Sequence, residues 1–327
     1  MTSPEGTPAG SKGGEFAYLG RLREALGGSA PPGDIYLGDD AAVVTAPEGR
    51  LLFATDIVVE GVHFDLAIGS PSDAGWKAIV GNVSDIAAMG GRPTHAVAAV
   101  AAPPGCDLDQ VFSGMREATR EYGVALVGGD LSSSDRLVIS VAIIGGTGDV
   151  EPVTRSGARP GDELWCTGAL GASAAGLAAL LARPGPLAYE EAWSEAQSEL
   201  AHLIRSYRRP RARPAEGALA ARAGARAMID VSDGLSQDVS HMAEESGVGI
   251  ELDEVPVASG ATLKQALGGG EDYELVFAIP PGSELLAEFD RAGLSPPTRI
   301  GRCSGDPEVR RLGGEPLPPL GWTHDFG

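Results

Sequence analysis

Cysteine is scarce: Cys106, Cys166 and Cys303 are the only three in 327 residues, far apart, with no CxxC and no Cys/His spacing. That excludes a zinc ligand set and a disulfide framework, and it fits a reducing cytoplasm. No GxxxxGK[ST] occurs, so there is no P-loop, and no GxGxxG follows a strand-like run, so a dinucleotide fold has no support. The opening MTSPEGTPAGSKGG lacks the apolar stretch of a signal peptide. The most apolar long stretch, 169–182, is about half small residues and too short to span a bilayer; it reads as a buried helix. Basic residues are few: 25 Lys and Arg stand against 45 Asp and Glu, a net charge of −20. So acidic a chain is a poor grip for nucleic acid or anionic membrane. It also repels free nucleotide, which must arrive with metal.

What is present reads as a globular chain of one large or two ordinary domains, long enough to bury a core without staples. Residues 1–13 are rich in Gly, Ser, Pro and Thr and read as a mobile tail. After Gly14 strands and helices alternate. Strands are expected at 51–55 (LLFAT), 94–102, 124–127 and 136–144 (RLVISVAII), with helices at 72–89 and 108–122. The turn-rich GDVEPVTRSGARPG at 148–161 marks a boundary. Beyond it, strands are expected at 163–166, 227–231, 250–255, 273–279 and 298–301. Helices are expected at 172–181, 189–207, 214–223, 235–245 and 284–292. The pattern argues α/β or α+β layers in two halves, 14–150 and 151–327, with no short-period repeat. The one basic run, RSYRRPRAR at 205–213, reads first as a solvated connector, with an anion or partner contact as the alternative.

The aspartates carry the chemistry. Asp39 and Asp40 lie in LGDDAAVV, Asp56 follows LLFAT, Asp85 lies in NVSDIAAMGG, Asp130 in VGGD, and Asp230 and Asp233 in IDVSDGL. Most follow an apolar run, where a strand would end and where open α/β folds bind ligands. Gathering so many carboxylates raises each one's pKa unless a counter-charge intervenes, and hard Mg²⁺ with phosphate supplies one. A metal–phosphate site is therefore expected; taken singly, each Asp is equally well a turn residue or N-cap. On the helix at 72–89, at ~100° per residue, Trp76, Val83, Ile86 and Ala87 lie within ~80° of Ile79. Asn82 and Asp85 fall beside that stripe at about 300° and 240°. Asp85 is thus expected to face a site with Asn82 orienting it or a ligand, unless the face is merely solvated. Gly128-Gly129-Asp130 permits close backbone approach to a phosphate, and Gly168-Ala-Leu-Gly171 offers a second anion nest.

Taken together, ordered segments make the chain recognisable. They are GEFAYLGRL (14–22), GDDAAVV (38–44), TDIVVEGVHF (55–64), KAIVGNVSDIAAMGGRP (77–93), VGGDLS (127–132), TRSGARPGDELWCTGALGASAAGL (154–177), IDVSDGLSQD (229–238) and GGGEDYELVF (268–277). In this order they resemble the thiamine-monophosphate kinase family, of the superfamily that includes aminoimidazole ribonucleotide synthetase. The resemblance implies an N-terminal α/β domain that dimerises through its sheet, a C-terminal α/β domain, and an active site in the cleft between them with ATP near the dimer interface. It implies direct transfer of the ATP γ-phosphoryl group to thiamine monophosphate, with several Mg²⁺ ions and no acid or base residue assigned.

By motif match, Asp40, Thr55, Asp56, Asp85, Asp130, Asp230 and Asp233 would form the metal shell, with Asp39 adjacent. Gly129, Asp130, Arg155 and Ser232 would contact nucleotide. His63, Glu271 and Trp322 would contact the acceptor, Trp322 by stacking. His63 also reads as a core histidine, Glu271 as an edge charge and Trp322 as a groove cap. Ala54 departs from a Ser that relatives carry before the Thr-Asp pair, which removes a side-chain ligand there. Selenophosphate synthetase and the hydrogenase maturation dehydratase are the alternatives. The first needs a reactive Cys near its N-terminus and the second a C-terminal Cys, and this sequence has neither.

Overall fold

The computed structural model describes residues 30–37, 39–182 and 199–324. The tail 1–13, the GEFAYLGRL segment, Gly38, the first part of the helix expected at 189–207, and residues 325–327 lie outside the described residues.

The first half comprises β1 (Leu51–Val59), α1 (Pro71–Ala88), β2 (Arg92–Ala102), α2 (Leu108–Tyr122), β3 (Ala125–Ser133) and β4 (Val138–Gly146). Its sheet runs β1-β4-β2-β3, antiparallel except for the β2/β3 pair. Strand alternation gives the sheet two unlike faces. Leu52, Val58, Ala98, Val100, Val141 and Ile143 turn toward the helices and are buried. On the opposite face Leu51, Phe53, Ile57 and Val97 are exposed, Phe53 to 72%. Among the described residues β1 and β3 are edges, each paired on one side only.

α1 is the spine of the molecule. Pro71 opens it, and a reciprocal capping box joins Ser70 and Asp73. Its residues are buried on every side except for Pro71, Ser72 and Asp85. Glycines let neighbours press against it. A Cβ on Gly75 would lie 2.0 Å from the Val111 carbonyl of α2, and one on Gly114 of α2 would lie 1.8 Å from that of Ser72.

The second half begins with β5 (Glu163–Cys166), α3 (Ala172–Leu181), α4 (Glu199–Arg208), α5 (Pro214–Arg222), β6 (Ala227–Asp230) and α6 (Leu235–Ser246). β7 (Gly249–Leu252), α7 (Leu263–Gly268), β8 (Leu275–Ile279), α8 (Leu285–Arg291), β9 (Thr298–Ser304), β10 (Arg310–Leu312) and β11 (Glu315–Pro316) complete it. A seven-stranded sheet runs β11-β10-β7-β9-β5-β8-β6, with only β10/β7 parallel. Both sheets are layered with helices, giving an α/β fold of α+β character. No helix among the described residues is long and apolar enough to cross a membrane.

Four expectations need correction. The short strand at 124–127 extends to Ser133, so Gly128, Gly129 and Asp130 lie within an edge strand and not in a turn beyond it. Asp56 likewise sits inside β1; Asp85 lies in α1, as the helical period implies, and Asp230, the last residue of β6, does end a strand. The strand expected from Tyr273 starts at Leu275, because Glu271 and Tyr273 take positive φ (61° and 51°). The basic run is not a solvated connector. Arg208, 5% exposed, donates through Nε to Asp73 at 2.7 Å, and Arg209 Nε reaches the other oxygen at 2.9 Å. The capping carboxylate of α1 is thus clamped by two guanidinium groups from the second half. Trp76 Nε1 adds a bond to the Pro210 carbonyl at 2.8 Å.

Candidate active site

The joint between the halves gathers acids from three elements. Asp56 shares the helix-facing side of β1 with Leu52 and Val58. Asp85 occupies the one partly open position in the body of α1. Asp230, 3% exposed, ends β6 and accepts a 2.7 Å bond from Ser84 Oγ of α1. The phenol of Tyr273 stands among them. A Cβ at Gly81 would lie 3.1 Å from Asp56 Oδ2 and 3.4 Å from Tyr273 Oη, so glycine there lets α1 pass close to both.

Electrostatics show the crowding. Burial, then the charges of Asp56 and Asp230, push the Asp85 carboxyl up to about 8, against the opposing pull of Arg155. Burial raises Asp230 too, with the Ser84 bond and Arg155 acting the other way. Asp56 is raised by burial and drawn down by His63. Tyr273 is pushed well above the usual phenol by burial, then by Glu271 and the three aspartates. Even so, no three His, Cys, Asp or Glu side chains among the described residues form a ready-made metal cage.

Beside these acids runs the loop after β6. Gly270 packs against it, since a Cβ there would meet the Ser232 carbonyl at 2.4 Å. Glu271 N–H donates to Ser232 O and Tyr273 N–H to Val231 O, both at 2.9 Å, which holds the two positive-φ residues against Val231 and Ser232. Burial raises Asp233, opposed by His241, His324 and Arg155. Asp238 lies behind, accepting N–H bonds from Asp233 and Gly234; burial, then Asp230 and Asp233, push it to about 8.

The three acceptor candidates converge. Glu271 Oε2 lies 2.6 Å from Lys77 Nζ, and Lys77 also donates to the His63 carbonyl at 3.2 Å. The His63 ring is 5.5 Å from that of His324, which meets Trp322 edge-on at 6.2 Å. Trp322 is 53% exposed, and its backbone N–H donates to the Asp233 carbonyl at 3.0 Å. His63 Nδ1 accepts the Val59 N–H at 3.1 Å, which places the neutral ring's proton on Nε2. Burial holds its pKa low, against Glu271 and with His324 and Lys77.

Arg155 borders the acid cluster, while Thr55, Asp40 and Asp130 stand apart from it. Arg155 is exposed, and with Thr154, Asp85, Asp230, Phe53 and Ala54 it lines a cavity of about 440 Å³. Thr55 alternates to the face opposite Asp56, and its hydroxyl donates to the Val141 carbonyl at 2.9 Å. Asp40 lies in an exposed loop whose Tyr36 reaches His95 on that same outer face. Asp130 does not join the cluster within one chain. The register row Asp56–Val141–Ala98–Gly129 crosses the whole sheet, three strand spacings or about 14 Å. Asp130 pairs with Ala99, on the outer face.

Two local readings also change. Asn82, fully buried, donates to the Ala78 carbonyl of its own helix and does not orient Asp85. The nest at Gly168–Gly171 is filled from within: Asp272 accepts the Gly171 and Ser173 N–H groups, and burial pushes its carboxyl to about 7. Lys77, Tyr273, Asp238 and His324 were not among the expected site residues. A lysine inside an otherwise apolar helix was the one signal available for Lys77; positive φ at a tyrosine leaves no mark in sequence.

Comparison with known proteins agrees with this architecture. The family model for AIR synthase related protein, N-terminal domain, matches residues 38–147, and that for the C-terminal domain matches 159–313. The chain belongs to this AIR synthase related class. Within it, the chain falls in the thiamine-monophosphate kinase family. It is 40% identical over 281 residues to the thiamine-monophosphate kinase of Mycobacterium tuberculosis, covering 80% of each chain. It is 35% identical over 326 residues to that of Aquifex aeolicus, covering 95% of this chain and 98% of the other. Among solved structures it is similar to AaThiL complexed with AMPPCP and TMP (TM-score 0.71, 33% identity, 95% of this chain and 97% of that one). It is also similar to the Stenotrophomonas maltophilia K279a thiamine-monophosphate kinase (TM-score 0.77, 29% identity, 92% and 97%). A hydrogenase maturation protein from E. coli, HypE, at 23% identity and TM-score 0.69, shares the fold.

Proposed function

We propose that the protein transfers the γ-phosphoryl group of Mg-ATP to thiamine monophosphate, giving thiamine diphosphate and ADP. The observation that carries this reading is the meeting of two groups of residues at one joint. The acids Asp56, Asp85 and Asp230 adjoin His63, Glu271 and Trp322 through the Ser232–Tyr273 loop pair. Family membership and the likeness to a kinase solved with AMPPCP and TMP support it.

The donor set fits magnesium. Three carboxyl groups press on one another with Arg155 as the opposing cation, all offer oxygen, and their dispersed placement suits an ion that completes its shell with water and phosphate. Asp56, Asp85, Asp230 and Asp233 would hold it, and when bound it neutralises charge on the transferring phosphate. Arg155 presents a planar fork to nucleotide phosphate from the wall of the cavity it shares with Asp85. Ser232 sits between the two groups, on the loop that Glu271 anchors. On the acceptor side Glu271 and His63 bind and orient thiamine monophosphate, and the exposed Trp322 ring offers a stacking face. An acceptor phosphate oxygen attacks the γ-phosphorus in line, forming the new P–O bond as the bond to the β-phosphate oxygen breaks and ADP leaves. That oxygen is already deprotonated at neutral pH, so the step needs positioning and no general base.

The working unit is a homodimer, with 14–150 as its nucleotide and dimerisation domain and 151–327 as the second domain. Two open edge strands and the exposed row Leu51, Phe53, Ile57 and Val97 support this, as does the remoteness of Asp130 from its own chain's acids. Pairing β1 of one copy with β3 of another brings the Gly129–Asp130 segment of β3 to the strand that carries Asp56, and sets the Asp40 and Thr55 face against the partner. Three unpaired thiols suit a cytoplasmic protein.

The test is incubation with ATP, Mg²⁺ and thiamine monophosphate, with thiamine as control. Thiamine diphosphate and ADP from the monophosphate alone are expected. AMP as coproduct, or turnover of thiamine but not its monophosphate, would overturn the assignment.

A further inference from the structure

Lys77 is among the largest fully buried side chains of the described residues, 1% exposed in the middle of α1. Burying an ammonium group is costly unless its donors are satisfied. Here the satisfaction comes from separate elements. Nζ lies 2.6 Å from Glu271 Oε2 and 3.2 Å from the His63 carbonyl, and it sits 3.8 Å over the Tyr207 ring of α4. Two of the three partners belong to the acceptor residues named above. Glu271 stands at φ 61°, a conformation costly for any residue with a side chain, so something must hold it. One support is its N–H bond to Ser232, and the other is Lys77.

We infer that Lys77 is a positioning residue for the acceptor site: it ties the Glu271 carboxylate and the His63 backbone to the rigid spine helix, so that both face one substrate. This rests on the reading of Glu271 as an acceptor contact. The ammonium takes Oε2, which leaves Oε1 as the oxygen that can turn to the acceptor. A cationic or amino-bearing heterocycle is the chemistry that such a carboxylate recognises. The bond to the His63 carbonyl fixes the turn that follows β1. The ring contact with Tyr207 fills the space around the ammonium with an aromatic face instead of water. Because α1 also carries Asp85, one helix sets both acceptor and metal-side residues, and their relative position is built into its rise.

A double-mutant cycle tests this. Lys77→Met, Glu271→Gln and the double variant are assayed for KM and kcat with thiamine monophosphate and for KM with ATP, with thermal unfolding as a check on the fold. Lys77→Arg runs alongside and stands in for Lys77→Met should that variant fail to fold. Lys77→Met is expected to raise the acceptor KM on the order of tenfold while the ATP KM stays within about twofold. The two effects are expected to combine less than multiplicatively, because part of the Lys77 effect runs through Glu271. Multiplying effects of the two substitutions, or a fall in kcat with both KM values unchanged, overturns the inference. The same holds for Lys77→Arg, whose larger head must displace Glu271: an acceptor KM equal to wild type counts against positioning. If Glu271→Gln leaves the acceptor KM unchanged while Lys77→Met raises it, the reading of Glu271 fails, and the positioning role survives through His63. If neither moves it, both fail.

Discussion

Ser84 Oγ donates to Asp230 Oδ2 across 2.7 Å, so the residue next to Asp85 on the spine helix holds the last residue of β6. Both partners are buried, and the bond links the two halves at the centre of the acid cluster. Ser84→Ala leaves the buried Asp230 carboxyl with one hydrogen-bond donor fewer. A loss of about 1–3 kcal/mol is expected, read from urea unfolding. An unchanged midpoint and slope would show that Asp230 is satisfied elsewhere.

Asp73 is a structural counterpart, gripped by Arg208 and Arg209 and capping α1. Asp73→Ala removes the carboxylate that Arg208 and Arg209 share, although Arg209 keeps Glu117 and Ser72, and a cost of ~3–5 kcal/mol is expected for breaking this buried pairing. Arg211→Ala, whose partner Glu121 and own side chain are open to water, should cost under ~1 kcal/mol. Equal losses for the two would refute the distinction between clamp and surface pair.

Asp85 gives a pH signature. Its folded pKa, about 8, lies above its value in the unfolded chain, so the folded state holds the proton more tightly. The stability this contributes is complete below the unfolded carboxylate range and is lost as pH rises through about 8. Without metal or nucleotide, the melting temperature should therefore fall between pH 6 and pH 9. Asp85→Asn should flatten that fall, raise stability at pH 9, and abolish turnover. A variant with normal turnover removes Asp85 from the mechanism; one with an unchanged pH slope removes the electrostatic account.

Much of this was legible in the sequence. On α1 the apolar residues Trp76, Ile79, Val83 and Ile86 are buried, and Asp85 opens beside them, because a 3.6-residue period survives packing. His63, Glu271 and Trp322, the acceptor candidates that the motifs suggest, lie close to one another. What misled was local reading of glycine and charge. Gly128-Gly129-Asp130 looks like a turn but lies in an edge strand, where no flanking strand requires side chains. The Gly168–Gly171 nest is taken by Asp272, a hundred residues away in sequence. Arg208 and Arg209 look solvated until the fold brings Asp73 to them. Each miss is a long-range partner that no window of sequence contains.

Asp130 offers a test of shared sites. Asp56→Asn and Asp130→Asn are each expected to be inactive. If a site takes Asp56 from one protomer and Asp130 from its partner, mixing the two variants under exchange conditions rebuilds about a quarter of the sites. If both acids serve from one chain, mixing restores nothing. Light scattering should give twice the 33.4 kDa chain mass. A monomer that turns over normally would contradict the dimer.

Magnesium dependence reaches the centre most directly, since crowded acids and a polyphosphate repel each other without a cation between them. Calorimetric titration of ATP should show binding in Mg²⁺, loss of that binding in excess chelator, and proton release as Asp85 ionises. Equal ATP affinity with and without chelator would contradict a magnesium–phosphate site at Asp56, Asp85 and Asp230.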